Sequence, residues 1–351
     1  GAQSRIYIIL ETQYWRSVMG FLKERLRIPL YYFRYLRSFL YDLERFVKHS
    51  NVEYKRFENT DKLIAKIISL YHVIEKGLAL EEPRLRFGKP RVEMLMRCIT
   101  IYTSRVDKNN WDTQVHSALS VLDEYLKFNH NHGVAIPDLE QFLLTHRSIL
   151  SDEISKGGTK AVSFEGLSLS DDPSFDAVVS ARSSIRNFGG ETVAMSDVYR
   201  AVRLAQKSPS TCNRQSARIL MTTERNIIDE LLFLQKGANG FGDKISSLLI
   251  VCCDLNCYQG DGDRVSGVID GSLFGMTLIH ALTRFKIANI PLNWSKDHSE
   301  DKKLRRLISV PDSYSVLFFI GLGSFKSQFK VPQSNKNDLS DICADIRLCN
   351  D

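Results

Sequence analysis

Residues 181 to 188, Ala-Arg-Ser-Ser-Ile-Arg-Asn-Phe, place two guanidinium groups and two adjacent hydroxyls in one short segment. A guanidinium fork matches phosphate oxygens through paired N–H donors, which a single ammonium group does not do. If a helix that begins near Phe175 continues through the segment, Arg182 and Arg186 lie four apart and project from one face, with Ser183 and Ser184 beside them. Such a cluster is equipped to hold a phosphate; a solvated helix end is the alternative reading.

A second polar cluster, Ser208-Pro209-Ser210-Thr211-Cys212-Asn213-Arg214-Gln215, follows a helical pattern and precedes the apolar run Ile219-Leu220-Met221. Its residue types make a polar loop between helix and strand. Small hydroxyl and amide side chains hydrogen-bond a polar heterocycle and let it approach the backbone. An ordinary connecting loop is again the alternative.

Taken in this order, the two clusters resemble the nitroreductase family of flavin mononucleotide (FMN) enzymes. The family pattern, Arg-x-Ser-x-Arg/Lys-x-Phe followed by Pro-Ser-x-x-Asn-x-Gln, is matched by Arg182, Ser184, Arg186 and Phe188, then by Pro209, Ser210, Asn213 and Gln215. The resemblance spans residues 174 to 336. It implies a mixed α+β fold and a homodimer with FMN at the subunit interface, reduced by NAD(P)H and reoxidised by an organic acceptor such as a nitro compound or quinone. Arg182, Ser183, Ser184 and Arg186 then serve the phosphate and the ribityl-pyrimidine edge. Pro209, Ser210, Thr211, Asn213 and Gln215 serve the FMN held by the partner subunit.

Three further segments take roles from the same resemblance. Ile290-Pro291-Leu292-Asn293-Trp294 occupies a strand end where the family sets backbone donors against the flavin N5 and O4 edge, so Asn293 and Trp294 are candidates. Plain packing, or an exposed Trp that narrows the pocket, are the alternatives. Lys330-Val331-Pro332-Gln333-Ser334-Asn335-Lys336 resembles the closing Pro-x-Ser-Arg segment; Asn335 stands where Arg is usual, which leaves Lys336 to supply the cation beside Ser334. The glycine-rich stretch Lys236 to Gly242 lacks Walker spacing and precedes a strand. It reads as a loop beside the flavin, with Asn239 near the pyrimidine. After Gln215 the family commonly has Pro-Trp, and here Ser216-Ala217 stand instead. No residue stands out as a catalytic acid or base.

The elements that must position these groups follow from periodicity. Beyond residue 173 helices and strands interleave: helices at 196–206, 227–234, 267–285 and 300–308, and strands at 218–222, 248–253, 287–292 and 315–320, a sheet flanked by helices. Before it, residues 1–150 read as an all-α unit. A helix capped by Thr60 carries Leu63, Ile67, Leu70 and Ile74 at helical spacing, with Gly77 as its stop. Further helices follow at 92–103, 113–128 and 137–144. Residues 151–173, rich in Gly and Ser, read as a linker to a flavin-binding domain at 174–351.

Within the first helix, His72 and Glu75 share a face and are able to form a hydrogen-bonded or metal-binding pair; a structural histidine is the preferred reading. The segment His72 to Gly77 resembles one found in longer nitroreductase-like proteins associated with bacterial surface-polysaccharide gene clusters. That likeness raises an alternative function, a non-catalytic scaffold for a polysaccharide-assembly partner. An aromatic and basic helix from Pro29 to Val47, with Tyr32, Phe33 and Phe39 among Arg34 and Arg37, suits either a helical core, the preferred reading, or a membrane surface.

Composition bounds the class. Of 351 residues 43% are hydrophobic, ample for two cores. Residues 1–150 hold 23 of the 47 Lys/Arg and 17 of the 41 Asp/Glu, leaving 24 of each beyond, so the whole excess of +6 sits in the helical half. That excess suits an anionic neighbour for this half, a membrane surface or a polyanion, with modest solubilising charge the preferred reading; a peripheral membrane or protein partner, and no nucleic acid, is the expectation for this half. Seven cysteines without repeated metal spacing indicate reduced thiols, no metal site and a cytoplasmic setting. Cys252 and Cys253 fall in an apolar strand pattern. The run Ile6 to Leu10 is too short for a signal core.

Overall fold

The computed structural model describes residues 60–146, 157–167, 169–258 and 261–346, with Leu348 and positions scattered between 29 and 44. Four helices open it: α1 (Thr60–Leu78), α2 (Lys89–Thr103), α3 (Thr113–Asn131) and α4 (Pro137–Thr145). The stripe Leu63, Ile67, Leu70 and Ile74 is buried as its spacing requires, against Leu95 and Ile99 of α2 and Leu119 and Leu122 of α3. Asp112 caps α3 by accepting from Gln114 N–H. Gly77 does not stop α1, which continues to Leu78. A Cβ at Gly77 would lie 2.1 Å from the Phe87 ring, so the position serves close packing.

The second core is a four-stranded antiparallel sheet in the order β2-β3-β5-β4, with β2 Ala217–Thr222, β3 Ser247–Asp254, β4 Ala288–Asn293 and β5 Tyr314–Gly323. β3 reads as a continuous apolar run because both of its faces are covered. Leu248, Ile250 and Cys252 join one cluster, while Leu249 and Val251 join another on the opposite face. Burial pushes the thiols of Cys252 and Cys253 up, to about 12 and about 11. Helices α6 (Met195–Ala205) and α8 (Ser266–Arg284) cover one face. Helices α7 (Arg225–Gln235) and α9 (His298–Leu307) cover the other. A short α5 (Phe175–Ala181) precedes α6. Helices packed on an antiparallel sheet make the chain α+β, as the resemblance implies.

Two expectations are corrected. The stretch read as a linker contains β1 (Thr159–Ser163), paired antiparallel with β6 (Gln328–Pro332) so that Val162 faces Phe329. Five residues after two glycines carry too little periodicity to announce a strand, and the pairing comes from a partner far along the chain. The described positions of the Tyr31 to Leu43 segment are helical but do not form a core: Tyr32 is 75% exposed, and Phe33, Phe39 and Leu43 are exposed too. The rest of that segment, the Ile6 to Leu10 run, residues 147–156 and Cys349 lie outside the described residues. No helix among the described residues is long and apolar enough to cross a membrane.

The two cores join tightly at Gly157 and Gly158. Gly158, at φ +107, donates its N–H to Glu75 at 3.1 Å and accepts from Gln333 N–H at 2.9 Å. A Cβ on Gly157 would sit 2.1 Å from the main-chain oxygen of Ser117 in α3, where no flexible side chain is available to give way. Gly157→Ala is therefore expected to cost about 1–3 kcal/mol through forced separation of β1 from α3. Thermal unfolding checks this, and an unchanged midpoint would refute the close fit.

Candidate functional site

Helix α5 ends at Ala181, and Arg182 is already extended at φ −65 and ψ 117. Three residues on, Ile185 donates its N–H to Asn289 O at 3.0 Å, so the segment lies along the open edge of β4. An edge strand offers unpaired main-chain groups, and here they take the segment out of the helix. The shared helical face expected for Arg182 and Arg186 is thus replaced by the two-residue alternation of extended chain. Ile185 and Asn187 are buried, while Arg182, Ser184 and Arg186 line a cavity of about 480 Å3.

Ser183, Lys160 of β1, and Ser334 and Lys336 after β6 complete much of that cavity's wall. Helix α1 adds Tyr71 and His72. None of the lining side chains among the described residues is a carboxylate. The Arg182 guanidinium has no hydrogen bond or ion pair among the described residues, and burial holds it below the usual guanidinium range. Arg186 donates to Ser184 O at 3.2 Å. Burial pushes it down to about 10, opposed by the Glu75 carboxylate. Lys76 is lowered by burial first, then by repulsion from Arg186 and Arg91. Cations that have lost water without gaining an anion are costly, and an anion entering the cavity relieves that cost.

Arg186 also lines an adjoining cavity of about 890 Å3, together with Asn187, Asn239 and Gly240. Glu81, Glu82 and Arg84, just beyond α1, form its other side. The segment that carries Lys336 is pinned to α3, because Asn335 donates to Ser117 Oγ at 3.0 Å and Asn337 Oδ1 accepts from Gln114 at 2.7 Å. The amide at 335 thus has a use in this chain that an arginine would not fill.

At the end of β4 the two candidates part. Asn289 uses its carbonyl on the outer edge, and by alternation Asn293 faces the same edge, where its carbonyl accepts from Gln235 Nε2 at 2.9 Å. Trp294 is 5% exposed and stacks on Phe319 with ring centroids 5.1 Å apart. It is a core residue: positions 290, 292 and 294 all turn inward. Neither Asn293 nor Trp294 lines the two cavities described above.

The second cluster connects α6 to β2 through a tight turn in which Cys212, Asn213 and Gln215 all have positive φ, near +50°. Non-glycine residues rarely adopt this conformation, and three of them within four positions need outside support. Asp270 of α8 provides it. Only 3% exposed, it accepts from Thr211 N–H and Thr211 Oγ1, both at 3.0 Å, and from Tyr258 OH at 2.8 Å. Ser216 Oγ also contacts Tyr258 OH. Desolvation first, then hydrogen bonding to Asp270, raises the Tyr258 phenol. Pro209, Ser210 and Gln215 line a third cavity of about 440 Å3, which shares no residue with the other two. Thr211 and Asn213 line none of the three. Within one chain the two clusters stay apart. Asp270 was not apparent from residue types; its signal is a lone carboxylate inside the apolar helical pattern of Ser266–Arg284.

The donor set suits FMN in outline, since a hollow lined by cations and hydroxyls, with no carboxylate among its described lining residues, adjoins a larger polar cavity through Arg186. Among the described residues no group of three or more His, Cys, Asp or Glu is placed to hold a metal ion.

No family model matches the chain, and no curated protein matches it. Solved structures do. A Staphylococcus epidermidis protein assigned as an NAD(P)H:FMN oxidoreductase is 16% identical, with 51% of this chain and 98% of that one covered at a TM-score of 0.45. A BluB-like flavoprotein from Clostridium difficile is 14% identical, with 50% and 100% covered at 0.43. Nitroreductase A from Vibrio parahaemolyticus is 14% identical, with 40% and 63% covered at 0.34. Over about half of its length the chain is similar to nitroreductase-like proteins, as its two motifs suggest.

If Asp270 holds the turn, Asp270→Ala removes the acceptor of the part-buried Thr211 N–H and Oγ1 and leaves the Tyr258 hydroxyl with Ser216 alone, at a cost of about 0.5–1.5 kcal/mol. Denaturant unfolding measures it, and a change below a few tenths of a kcal/mol would show that the turn stands without that carboxylate.

Proposed function

We propose that this chain is an FMN-dependent oxidoreductase of the nitroreductase type, working as a homodimer. The observation that carries the reading is the cavity in which Arg182 is half-buried without an anionic partner among the described residues, beside Ser183, Ser184, Arg186 and Lys336. Bound there, FMN would accept a hydride from NAD(P)H and pass reducing equivalents to an organic acceptor such as a nitro compound or quinone.

The work of this chain's own residues is binding and orientation. Arg182, Ser183, Ser184, Ser334 and Lys336 hold the phosphate, and Arg186 and Asn239 take the pyrimidine edge. The outer edge of β4 near Asn293 presents main-chain groups to the ring. Trp294, stacked on Phe319, stiffens that strand end from behind. Pro209, Ser210, Thr211, Asn213 and Gln215 reach the cofactor of the second subunit, which suits their separation from the arginines within one chain. Pairing is favoured by α8, whose Val268, Ile269, Leu273 and Met276 are exposed on one helix, with Ile269 at 52%. An apolar patch of this kind normally marks an interface. Exposed thiols at Cys212 and Cys343 fit a reducing, cytoplasmic setting.

A second reading, a scaffold for a polysaccharide-assembly partner, is favoured by the exposed apolar side chains between Tyr31 and Leu43. Turnover decides between the two: sustained NAD(P)H consumption with quinones or nitroaromatics supports the enzyme.

Protein incubated with FMN and desalted is expected to be yellow, absorbing at about 450 nm as oxidised flavin does. Arg182→Ala should weaken FMN binding by about 1.5–3 kcal/mol, the scale of a charge-assisted hydrogen bond. A colourless wild-type protein, or unchanged affinity in the variant, would refute the assignment.

Ile269→Glu places a charge in the exposed stripe and should convert a dimer to a monomer in sedimentation. A wild-type monomer, or a variant that still pairs, would remove α8 from the interface.

A further inference from the structure

Helix α1 and the residues just after it stand against the two cavities. Tyr71 and His72 line the smaller cavity, and Glu81 and Glu82, just past the end of α1, line the larger one. Arg186 belongs to both. Asn187 donates to Ala79 O at 3.0 Å, Gly158 donates to Glu75, and Lys326 pairs with Glu81, so the contact is continuous.

Within that contact His72 and Glu75 differ sharply in environment. The Glu75 side chain is fully buried, while the His72 ring is 38% exposed at the cavity wall. Nδ1 of His72 lies 3.1 Å from Glu75 Oε2. A carboxylate accepts, so the proton sits on Nδ1 and the ring orientation is set. The other ring nitrogen, Nε2, is left for the cavity. The same cavity is lined by Arg182 and Arg186 from the extended segment, Lys160 from β1 and Lys336 from the closing segment.

We propose that α1 is a wall of the cofactor site and that His72 is a ligand of the phosphate monoester, with Glu75 as its positioning residue. The inference rests on the FMN reading above and adds a residue from outside the segment that resembles the nitroreductases. With Nδ1 committed to Glu75, Nε2 is the nitrogen that meets the phosphate monoester, accepting from a phosphate hydroxyl when bare and donating to a phosphate oxygen when it carries a proton. Glu75 also attracts Arg186, so one buried carboxylate acts on two side chains of the same cavity. The arrangement gives the helical half a task inside the site.

Riboflavin, which lacks the phosphate, is the probe that isolates this contact. Affinities of wild type, His72→Ala and His72→Gln for FMN and for riboflavin are measured by fluorescence titration, with Arg182→Ala as the reference. His72 is partly exposed, and apo unfolding midpoints check that each variant folds. The expected result is a loss of FMN affinity of about tenfold to a hundredfold in His72→Ala, with a smaller loss in His72→Gln and riboflavin affinity unchanged. The 31P resonance of bound FMN should also shift in both His72 variants. An FMN to riboflavin preference that survives in His72→Ala while Arg182→Ala loses it overturns this inference alone. Equal losses for both flavins assign His72 a packing role and overturn it as well. Wild-type protein that takes up neither flavin overturns the FMN reading beneath it.

Discussion

Burying positive charge without an equal amount of negative charge is the constraint on which this structure turns. Arg182, Arg186 and Lys76 have all lost much of their hydration, and burial lowers the pKa of each. Glu75 is the buried carboxylate among them, and it attracts Arg186. An uncompensated charge at low dielectric destabilises the fold unless neighbouring dipoles or a ligand answer it. Tolerating that cost at one place is how proteins keep a site ready for an anion, and stability is usually sacrificed there for function.

The scaffold around the cations follows from that constraint. The extended segment from Arg182 to Asn187 needs an edge to lie on, and β4 supplies one because β5 pairs only its other side. The back of the segment is closed by Ile185 and Phe188 in the sheet's core. Its front is closed by α1, and the glycines at 157 and 158 let β1 approach α3 and α1 closely enough for Gly158 to reach Glu75. The turn at 210 to 215 is a parallel case with opposite charge. One buried carboxylate, Asp270, anchors Thr211 and Tyr258 beside it, while Ser210 accepts from the N–H groups of Asn213 and Gln215 in left-handed conformation.

Periodicity was enough to read the four sheet strands and most helices, because each buries a continuous stripe or run. Leu248 to Cys253 is a fair example, since a six-residue apolar run is short for a helix and suits a strand buried on both faces. The anion cluster was legible for the right residue types and the wrong geometry. Spacing of four suggests a helix, but the main-chain groups of Asn289, more than a hundred residues away, decide otherwise. For Trp294 residue type leaves packing and pocket readings open, because it does not say which face is inward; the alternation from Ile290 puts the ring in the core. β1 was missed because its pairing with β6 spans the whole second half of the chain. Such long-range pairing leaves almost no local trace.

The two departures from the nitroreductase motifs look like losses when each is read alone, and the contacts change that view. Asn335 gives up a guanidinium, yet its amide ties the closing segment to Ser117 of α3, and that tie brings Lys336 to the cavity shared with α1. Ser216 gives up a rigid proline, yet its hydroxyl joins Tyr258 and Asp270, which hold the neighbouring turn through hydrogen bonds. In both places an intrinsic property of one residue, charge or stiffness, is exchanged for contacts that need a second element in position. A site built on such contacts depends on its surroundings more than a self-sufficient motif does. The helical half and the sheet half are therefore coupled physically: disturbing α3 disturbs the segment that carries Lys336, and disturbing α8 disturbs the turn at 210 to 215.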